Sequence, residues 1–518
     1  MSGYTSLGKR GGSGGGGGGD LNANAIGPFG TMLVSDLTPT GQAAFYSGIN
    51  SAQWVTGTVG LSANGNPASV SATDGVVVCT SGNSLSGSAQ ISLARGVKYR
   101  AGQGVLGRFT AIFGPGQPDT LQLAGIGNVE SGFWFCLSGS NSFGILHRES
   151  SSREVRKFSS FSALGAITLT VTLDGKTKSI TINGGTNANQ TAHLVASQDY
   201  SQVGSGWYAE AHEDDVYFIA NVPGPFNGTF SIVNGGSPVA TPSIAQAGVL
   251  PVQSFISQSQ WNLDTMDGQG SSRFSLDRTK GNIYGIGYQY LGFGNPSFSI
   301  EDPETGLLKK CHMIQRANAS TATIVKNPNM SVGWMAINSG SAASSVSVKG
   351  ASAASFVEGQ ILRNIGVGFS AAAVKASISS TEIPILTIRV DKIHNNVYSN
   401  GEAAPTHMSL ANDSGASSSG KLLKFFIYKN AELGGPVTWT DVDSRSIVAY
   451  DTSATSFTKN SKTLLMKSVI VAANASMDLN LAEDGMYLTS GESLTITAQR
   501  VSNDIDNAAV SISWYEDQ

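Results

Sequence analysis

Charge is what this sequence has least of. Asp, Glu, Lys and Arg make up 13% of its 518 residues, about half the roughly 25% of an ordinary globular chain. Disordered chains combine low hydrophobicity with high net charge, whereas this one is 40% hydrophobic and carries a formal −4, so it is expected to fold. Basic residues cluster only at Lys9-Arg10 and between Lys421 and Lys424. Nucleic acid is therefore not an expected partner. Cysteine is scarce as well: Cys79, Cys136 and Cys311 are widely spaced and include no CxxC pair. Three thiols build no disulfide framework, and Cys79 and Cys136 lie in the apolar runs VVVCT and FWFCL. Buried free thiols are the expectation, in keeping with assembly in a reducing cytoplasm. No run of 18 apolar residues occurs, so no membrane insertion is expected. The opening MSGYTSLGKRGGSGGGGGG has no apolar h-region, and no Sec signal peptide is read there.

What the chain has in excess is glycine and small polar residues. Its 63 glycines compare with about 36 at the usual 7%. Many fall in residues 1–22, read as a Gly-rich flexible N-terminal arm. Beyond it, short runs rich in Val, Ile, Thr and aromatics alternate with Gly, Asn, Asp and Pro. Ile167 to Leu173 places apolar residues at 167, 169, 171 and 173, the period of a half-buried strand. Asp174-Gly175 follows, the signature of a type I′ turn, and Lys176 to Ile182 returns as the partner strand. Ser297 to Ile300, Ser493 to Thr497 and Val510 to Trp514 repeat the pattern. Helical signals are weak: Ala351 to Leu362 and Ser370 to Ser379 have room for a turn or two but lack a capped apolar stripe. The expected fold class is all-β, several tandem β-sandwich or jelly-roll modules. Turn-rich stretches divide the chain into an arm (1–22), a first module (23–225), a second (226–375) and a C-terminal module (376–518). No fixed-period repeat suggests a propeller or solenoid.

Several catalytic signatures match as strings and fail in context. Gly102-Gln-Gly104-Val-Leu-Gly107 satisfies GxGxxG but leads into the strand-like Arg108 to Phe113 instead of a helix. Gly175-Lys176-Thr177 resembles a P-loop end whose earlier glycine position holds Thr170. Gly11-Gly-Ser13-Gly-Gly15 spells GxSxG inside a poly-Gly tract that holds no strained elbow. The six histidines show no metal-ligand spacing. The acidic run Glu210-Ala-His212-Glu-Asp-Asp215 offers oxygen ligands for Ca²⁺, yet without a spaced ligand loop it reads as a solvated turn entering a strand. Asp264 and Asp267 read as a packed turn more readily than as a glycosidase pair. Trp54, Trp134, Trp207, Tyr208 and Trp261 are the candidates for stacking on sugar rings, and Trp134 has apolar neighbours that leave it little chance of a wet face. No catalytic residue, cofactor or metal site is expected.

A resemblance enters between about residues 90 and 340. VKYRAGQGVLGRFTAIFG (97–114) is followed by LQLAGIGNVESGFWFCLSGSNSFGILHR (121–148), WNLDTMDGQG (261–270), FSLDRTKGNIYGIGYQYLGFGNPSFSIEDPETGLLKKCHMIQRANAS (274–320) and IVKNPNM (324–330). These blocks resemble a family of virion proteins, adhesins or fibres, in tailed phages and large algal viruses. LAEDGMYLTSGESLTITAQ (481–499) and the final VSNDIDNAAVSISWYEDQ (501–518) are similar to closing hairpins of phage fibre modules. The resemblance implies a non-enzymatic structural component of a virus particle, a tail fibre, spike or capsid decoration protein with a role in host attachment. It further implies assembly in the host cytoplasm, anchoring of the arm to capsid, collar or tail, and a homo-oligomer, a trimer by association with such fibres. The alternative is a spike that binds or depolymerises host-surface polysaccharide. A secreted bacterial lectin is disfavoured by the missing signal peptide.

Overall fold

The structure, a computed structural model, describes residues 37–59, 67–84, 87–97, 99, 102–339, 345–359, 366–413, 422–482, 486–501 and 506–517. The arm at 1–22 lies outside the described residues. Strands make up 59% of the chain and helix 3%, so the fold is all-β, in several separate antiparallel sheets. Among the described residues, both stretches with weak helical signals are mainly extended instead, in Ser352–Glu358 and Val367–Ile378. Cross-strand pairing overrides the helical leaning of Ala and Ser there.

The first sandwich shows how the pattern becomes a core. Val105–Phe113 alternates buried and half-buried along its whole length, pointing Val105, Phe109, Ala111 and Phe113 inward. It is central in a nine-stranded sheet, paired with Asn282–Tyr288 on one side and with Ser352–Glu358 and Ser347–Gly350 on the other. A ten-stranded sheet faces it, containing Thr120–Gly127, Gly132–Ser138 and Val332–Asn338. Phe133, Phe135, Tyr284, Phe298 and Trp334 fill the space between, with Phe135 and Tyr284 centroids 4.6 Å apart. Each such ring contributes about 1.5–3 kcal/mol by leaving water. Cys79 and Cys311 share this core, and Cys136 is buried on the other face of its sheet. Burial pushes the Cys79 thiol up to about 12, which keeps it protonated and unreactive.

One 18-residue strand, Ser142–Ser159, does two jobs. Its first half pairs with Gly132–Ser138 and Val249–Ser257 inside the sandwich. Its second half pairs with Asp215–Pro223 and Thr241–Gln246 in a smaller module that grows out of the sandwich. That module contains the expected hairpin, with Thr170 opposite Ser179 and positive φ at Asp174 (51°) and Gly175 (73°). It also contains the helix Ala188–Ala196, which sequence reading missed, capped by Asn187 Oδ1 accepting from the Gln190 N–H at 2.8 Å. Leu169, Val171, Ile180, Val195, Trp207 and Phe218 form its core.

These pairings redraw the expected modules. Strands on both sides of residue 225 share sheets, so 23–225 and 226–375 are not successive sandwiches. The change of sheet falls instead between Ser352–Glu358 and Val367–Ile378. The C-terminal sandwich follows. One of its sheets runs Val367–Ile378, Asp506–Asp517, Glu402–Asp413 and Ala475–Asn480. The other includes Ile383–Val390, Ser493–Arg500, Leu422–Lys429 and Leu464–Ala472. Ile388, Leu410, Phe425, Ile496 and Trp514 lie in the core between them.

Candidate functional site: a cleft beside a charged junction

The string motifs resolve into packing and turns. Gly107, last glycine of the GxGxxG match, sits within a strand where a Cβ would come 2.7 Å from Ile126 Cδ1, so it lets two sheets approach. Gly175-Lys176-Thr177 is the hairpin turn and the start of its return strand. Asp264 accepts hydrogen bonds from Met266 N (2.9 Å), Ser272 N (2.7 Å) and Ser271 Oγ (3.1 Å), and Asp267 from Thr265 Oγ1 (2.8 Å) and Gln269 N (3.0 Å). The pair is a turn whose carboxylates are spent on its own backbone. All seven tryptophans are buried, which removes Trp54, Trp134, Trp207 and Trp261 as sugar platforms. Tyr208 is half-buried, with the Lys392 ammonium 3.7 Å from its ring centroid. The GxSxG string lies outside the described residues.

The acidic run holds a surprise in its first residue. Glu213 and Asp214 turn the chain, and Asp215 pairs with Lys157 at 2.6 Å. Glu210, however, is fully buried, a correction to its reading as part of a solvated turn. Strand alternation turns it inward, against residues 389–393 of the C-terminal sandwich. Its Oε1 accepts from His212 Nε2 (2.8 Å), Lys392 N (2.9 Å) and Ile393 N (3.2 Å). Asp391 Oδ2 lies 3.8 Å from His212 Nδ1, and Asp391 Oδ1 accepts from Arg389 Nε at 2.6 Å. Arg389 Nη2 donates to the Ala211 carbonyl at 2.9 Å, and its guanidinium lies 4.2 Å from the Trp439 ring centroid.

The electrostatics follow from this packing. Burial alone would raise the Glu210 carboxyl, but Arg389 and the His212 and Lys392 hydrogen bonds bring it down to about 2. Burial lifts Asp391 to about 6 against the pull of Arg389 and His212. Burial would lower His212, but Asp391 and Glu210 outweigh it and raise its pKa. Burial lowers the Lys392 ammonium to about 8. Glu210, His212 and Asp391 stand close enough to offer a metal three ligands. A cation there would displace hydrogen bonds already made and face the Arg389 guanidinium. The geometry favours an ionic clasp between two parts of the chain, hydrogen-bonded at Glu210 and Arg389 and held by charge alone between His212 and Asp391.

From this clasp the chain runs into a small hairpin, Ile393–His394 paired with Val397–Tyr398. Its two-residue turn, Asn395-Asn396, has φ of 51° and 62°, the left-handed pair of a type I′ turn. Ile393 packs with Val155, Tyr217 and Ile219 of the neighbouring sheet, and Tyr398 lies against the same cluster. Tyr217 OH donates to Asn396 Oδ1 (2.8 Å), and Tyr398 N donates to Gln246 Oε1 (2.9 Å). The hairpin is thereby fixed as one wall of a cleft of about 590 Å³.

Tyr99, Glu130, Asn327 and Asn329 line the cleft from the first sandwich, and His394, Asn395, Tyr398 and Asn400 line it from the C-terminal one. Asn327 and Asn329 use their Oδ1 atoms locally, accepting from Asn329 N and Tyr99 N at 2.9 Å each. Their Nδ2 groups, and the whole carboxamides of Asn395 and Asn400, have no partner among the described residues. Glu130 is the one carboxylate among the described lining residues, and it lies 3.6 Å from Arg153 Nε, ion-paired but too far for a hydrogen bond. Arg153 Nη1 donates to the carbonyls of Ala220 (3.3 Å) and Asn221 (3.2 Å), and its guanidinium backs the Tyr398 ring, 5.0 Å from its centroid. Sequence reading selected none of these residues. The local signal that was present is Asn395-Asn396, a type I′ turn pair between strand-like residues.

No family model matches this chain, and no curated protein does either. Among solved structures, the metal-free carbohydrate recognition domain of Emp46p is 11% identical, covering 60% of this chain and 90% of that one, at a TM-score of 0.21. A lectin from Bauhinia forficata in complex with GalNAc is 8% identical, covering 59% and 98%, at 0.19. A structure of infectious bursal disease virus, Gt strain, is 9% identical, covering 81% and 73%, at 0.14. TM-scores this low do not establish a shared fold.

Proposed function

We propose that this chain is a non-enzymatic carbohydrate-binding protein that serves as an attachment or spike subunit on a virus particle. The observation that carries the binding half is the cleft beside the Asn395-Asn396 turn. It joins a tyrosine-bearing wall to carboxamides with unspent hydrogen-bonding groups, on a backbone already fixed by its neighbours. Carboxamides both donate and accept, as sugar hydroxyls do, and tyrosine adds an apolar surface with a polar tip. A site of this size lies within the about 300–1,000 Å³ usual for small ligands. Binding is favoured over depolymerisation because glycoside hydrolysis ordinarily needs two carboxyls facing the bond, and Glu130 stands alone among the described lining residues. The setting on a virion is supported by the resemblance of residues 90–340 to virion adhesins and fibres.

A glycan array combined with a reducing-sugar assay tests this. Retention on the array without release of reducing ends is the expected result. Silence across the array overturns the binding role, and release of reducing ends overturns the non-enzymatic one.

A second reading, a scaffold subunit in a closed homo-oligomer, is favoured by the open edges of the C-terminal sandwich. Val367–Ile378 and Leu464–Ala472 each end a sheet and pair on one side among the described residues. They carry Val374 at 78% exposure and Ile470 at 52%, apolar groups that edge strands normally avoid showing to water. Mass photometry at micromolar concentration is expected to show an assembly, and a persistent monomer would sink this reading.

A further inference from the structure

We infer that the cleft selects a neutral, hydroxyl-rich oligosaccharide over an acidic one, and that Asn395, Asn400 and Tyr398 are its specificity-determining residues. The inference rests on the carbohydrate reading above and narrows it to a ligand class.

The first ground is where the cleft's charges are already committed. A sugar carboxylate or sulfate needs an unspent cation, ideally a guanidinium that meets it with two parallel N–H groups. Arg153 backs the cleft, but its guanidinium is ion-paired with Glu130, donates Nη1 to two backbone carbonyls, lies against the Tyr398 ring, and keeps its unbonded Nε buried. Glu130 lines the cleft with its side chain 12% exposed and its carboxylate paired with Arg153, so that wall offers an entering anion no free positive charge. Lys326 is the one ammonium among the described lining residues and is exposed to solvent, where a single pairing adds little.

The second ground is the kind of hydrogen bonding left over. Nδ2 of Asn327 and Asn329 and both ends of the Asn395 and Asn400 carboxamides make a set of donors with two acceptors among them. A row of hydroxyls, each able to donate and accept, satisfies such a set. A carboxylate only accepts, so wherever it replaces a hydroxyl against this set it removes a donor that a carboxamide oxygen could use.

The third ground is rigidity. Asn395 sits at a type I′ turn and Asn400 two residues beyond Tyr398. The stretch between is pinned by Gln246, by Tyr217 and by Ser399 N donating to Lys392 O at 2.7 Å. A pre-set wall loses little conformational freedom when a ligand arrives.

The test uses the full chain in isothermal titration calorimetry at about 0.15 M salt, where exposed charges are screened beyond about 8 Å. The probes are hexaoses of glucose, galactose and mannose, and hexaoses of galacturonate and mannuronate. At least one neutral series is expected to bind, with the acidic series about tenfold weaker or more. Asn395→Ala combined with Asn400→Ala is expected to weaken the neutral ligand by about tenfold while leaving the melting temperature in place. If the double variant melts early, Asn400→Asp, of the same shape but without the amide donor, carries the same comparison. Acidic hexaoses that bind as tightly as neutral ones would overturn the ligand class and leave a carbohydrate site standing. Undiminished neutral binding in the variants would move the sugar out of this cleft and overturn the inference. Silence from every hexaose would overturn the carbohydrate reading along with it.

Discussion

Two polar regions meet at the hairpin Ile393–Tyr398, and they are built to opposite rules. On one side lies the clasp of Glu210, His212, Arg389 and Asp391, dense in charge and with most of its polar atoms already bonded within the protein. On the other lies the cleft, poor in charge, with carboxamides whose hydrogen-bonding groups have no partner among the described residues. Density of polar residues would have pointed to the first as the site. Counting which donors and acceptors remain unspent points to the second. A buried ionic group must be satisfied internally or it destabilises the fold, whereas a recognition group is useful only while unsatisfied and wet.

The largest expected effect breaks the clasp. Arg389→Met removes the cation shared by Asp391, the Ala211 carbonyl and the field on Glu210. Buried Asp391 then loses its hydrogen-bonded counter-charge and Glu210 keeps only His212, which costs about 3–5 kcal/mol. Chemical denaturation should show that loss. A midpoint unchanged from wild type would mean the clasp is solvated and the contrast with the cleft false. Next in size is Ile393→Ala, which empties a position 4% exposed between Val155, Tyr217 and Ile219. It should cost about 2–4 kcal/mol. Because the hairpin is shared, it should also weaken the cleft's ligand, and a variant that lost stability with full binding would show that the wall does not depend on its anchor.

How much of this was legible from the sequence depends on where the determining contacts lie. The hairpin at Asp174-Gly175 was readable because turn and alternation are local. Trp134 was readable as buried because its immediate neighbours are apolar. The helix Ala188–Ala196 was not, although Asn187 gave its cap, because nine residues hold little periodicity. The division at 225 went wrong for a physical reason: Ser142–Ser159 serves two modules, and its partners come back from residues 215–257. Buried Arg148 and Glu154 interrupt its alternation, since each bonds to another chain segment: Arg148 Nη1 to the Val129 carbonyl and Glu154 to Phe226 N. The cleft was hidden for the same reason, as Tyr99 and Asn400 come together only through packing of two sandwiches.

The pH dependence of the clasp is a smaller effect with a defined sign. His212 has a raised pKa in the fold, so its contribution is complete below the ordinary 6.5 and is lost as pH rises through the folded value. Asp391, raised to about 6, acts in the same sense at lower pH, whereas Glu210, held at about 2, loses its contribution as pH falls below 4.5. His212→Gln keeps a donor for Glu210 and removes the titration. Unfolding free energies of the two proteins, measured from about pH 6 to about pH 8, should show the wild-type advantage shrinking as pH rises. Parallel lines would mean that the proton on His212 is not held by Glu210 and Asp391.

The smallest expected effect on stability is also the sharpest use of the comparison. Asn395→Ala and Asn400→Ala remove side chains that have no partner among the described residues and that face the cleft. Surface substitutions of that kind stay within about 0.5 kcal/mol, although Asn395 has φ of 51° and alanine pays a little more than asparagine for that conformation. The denaturation midpoint of the double variant should therefore nearly match wild type, in contrast to the several kcal/mol expected at Arg389. A large loss would show that these carboxamides are already spent on holding the hairpin. The cleft would then be a second clasp, and the distinction between saturated and unsaturated polar groups would no longer separate structure from recognition in this protein.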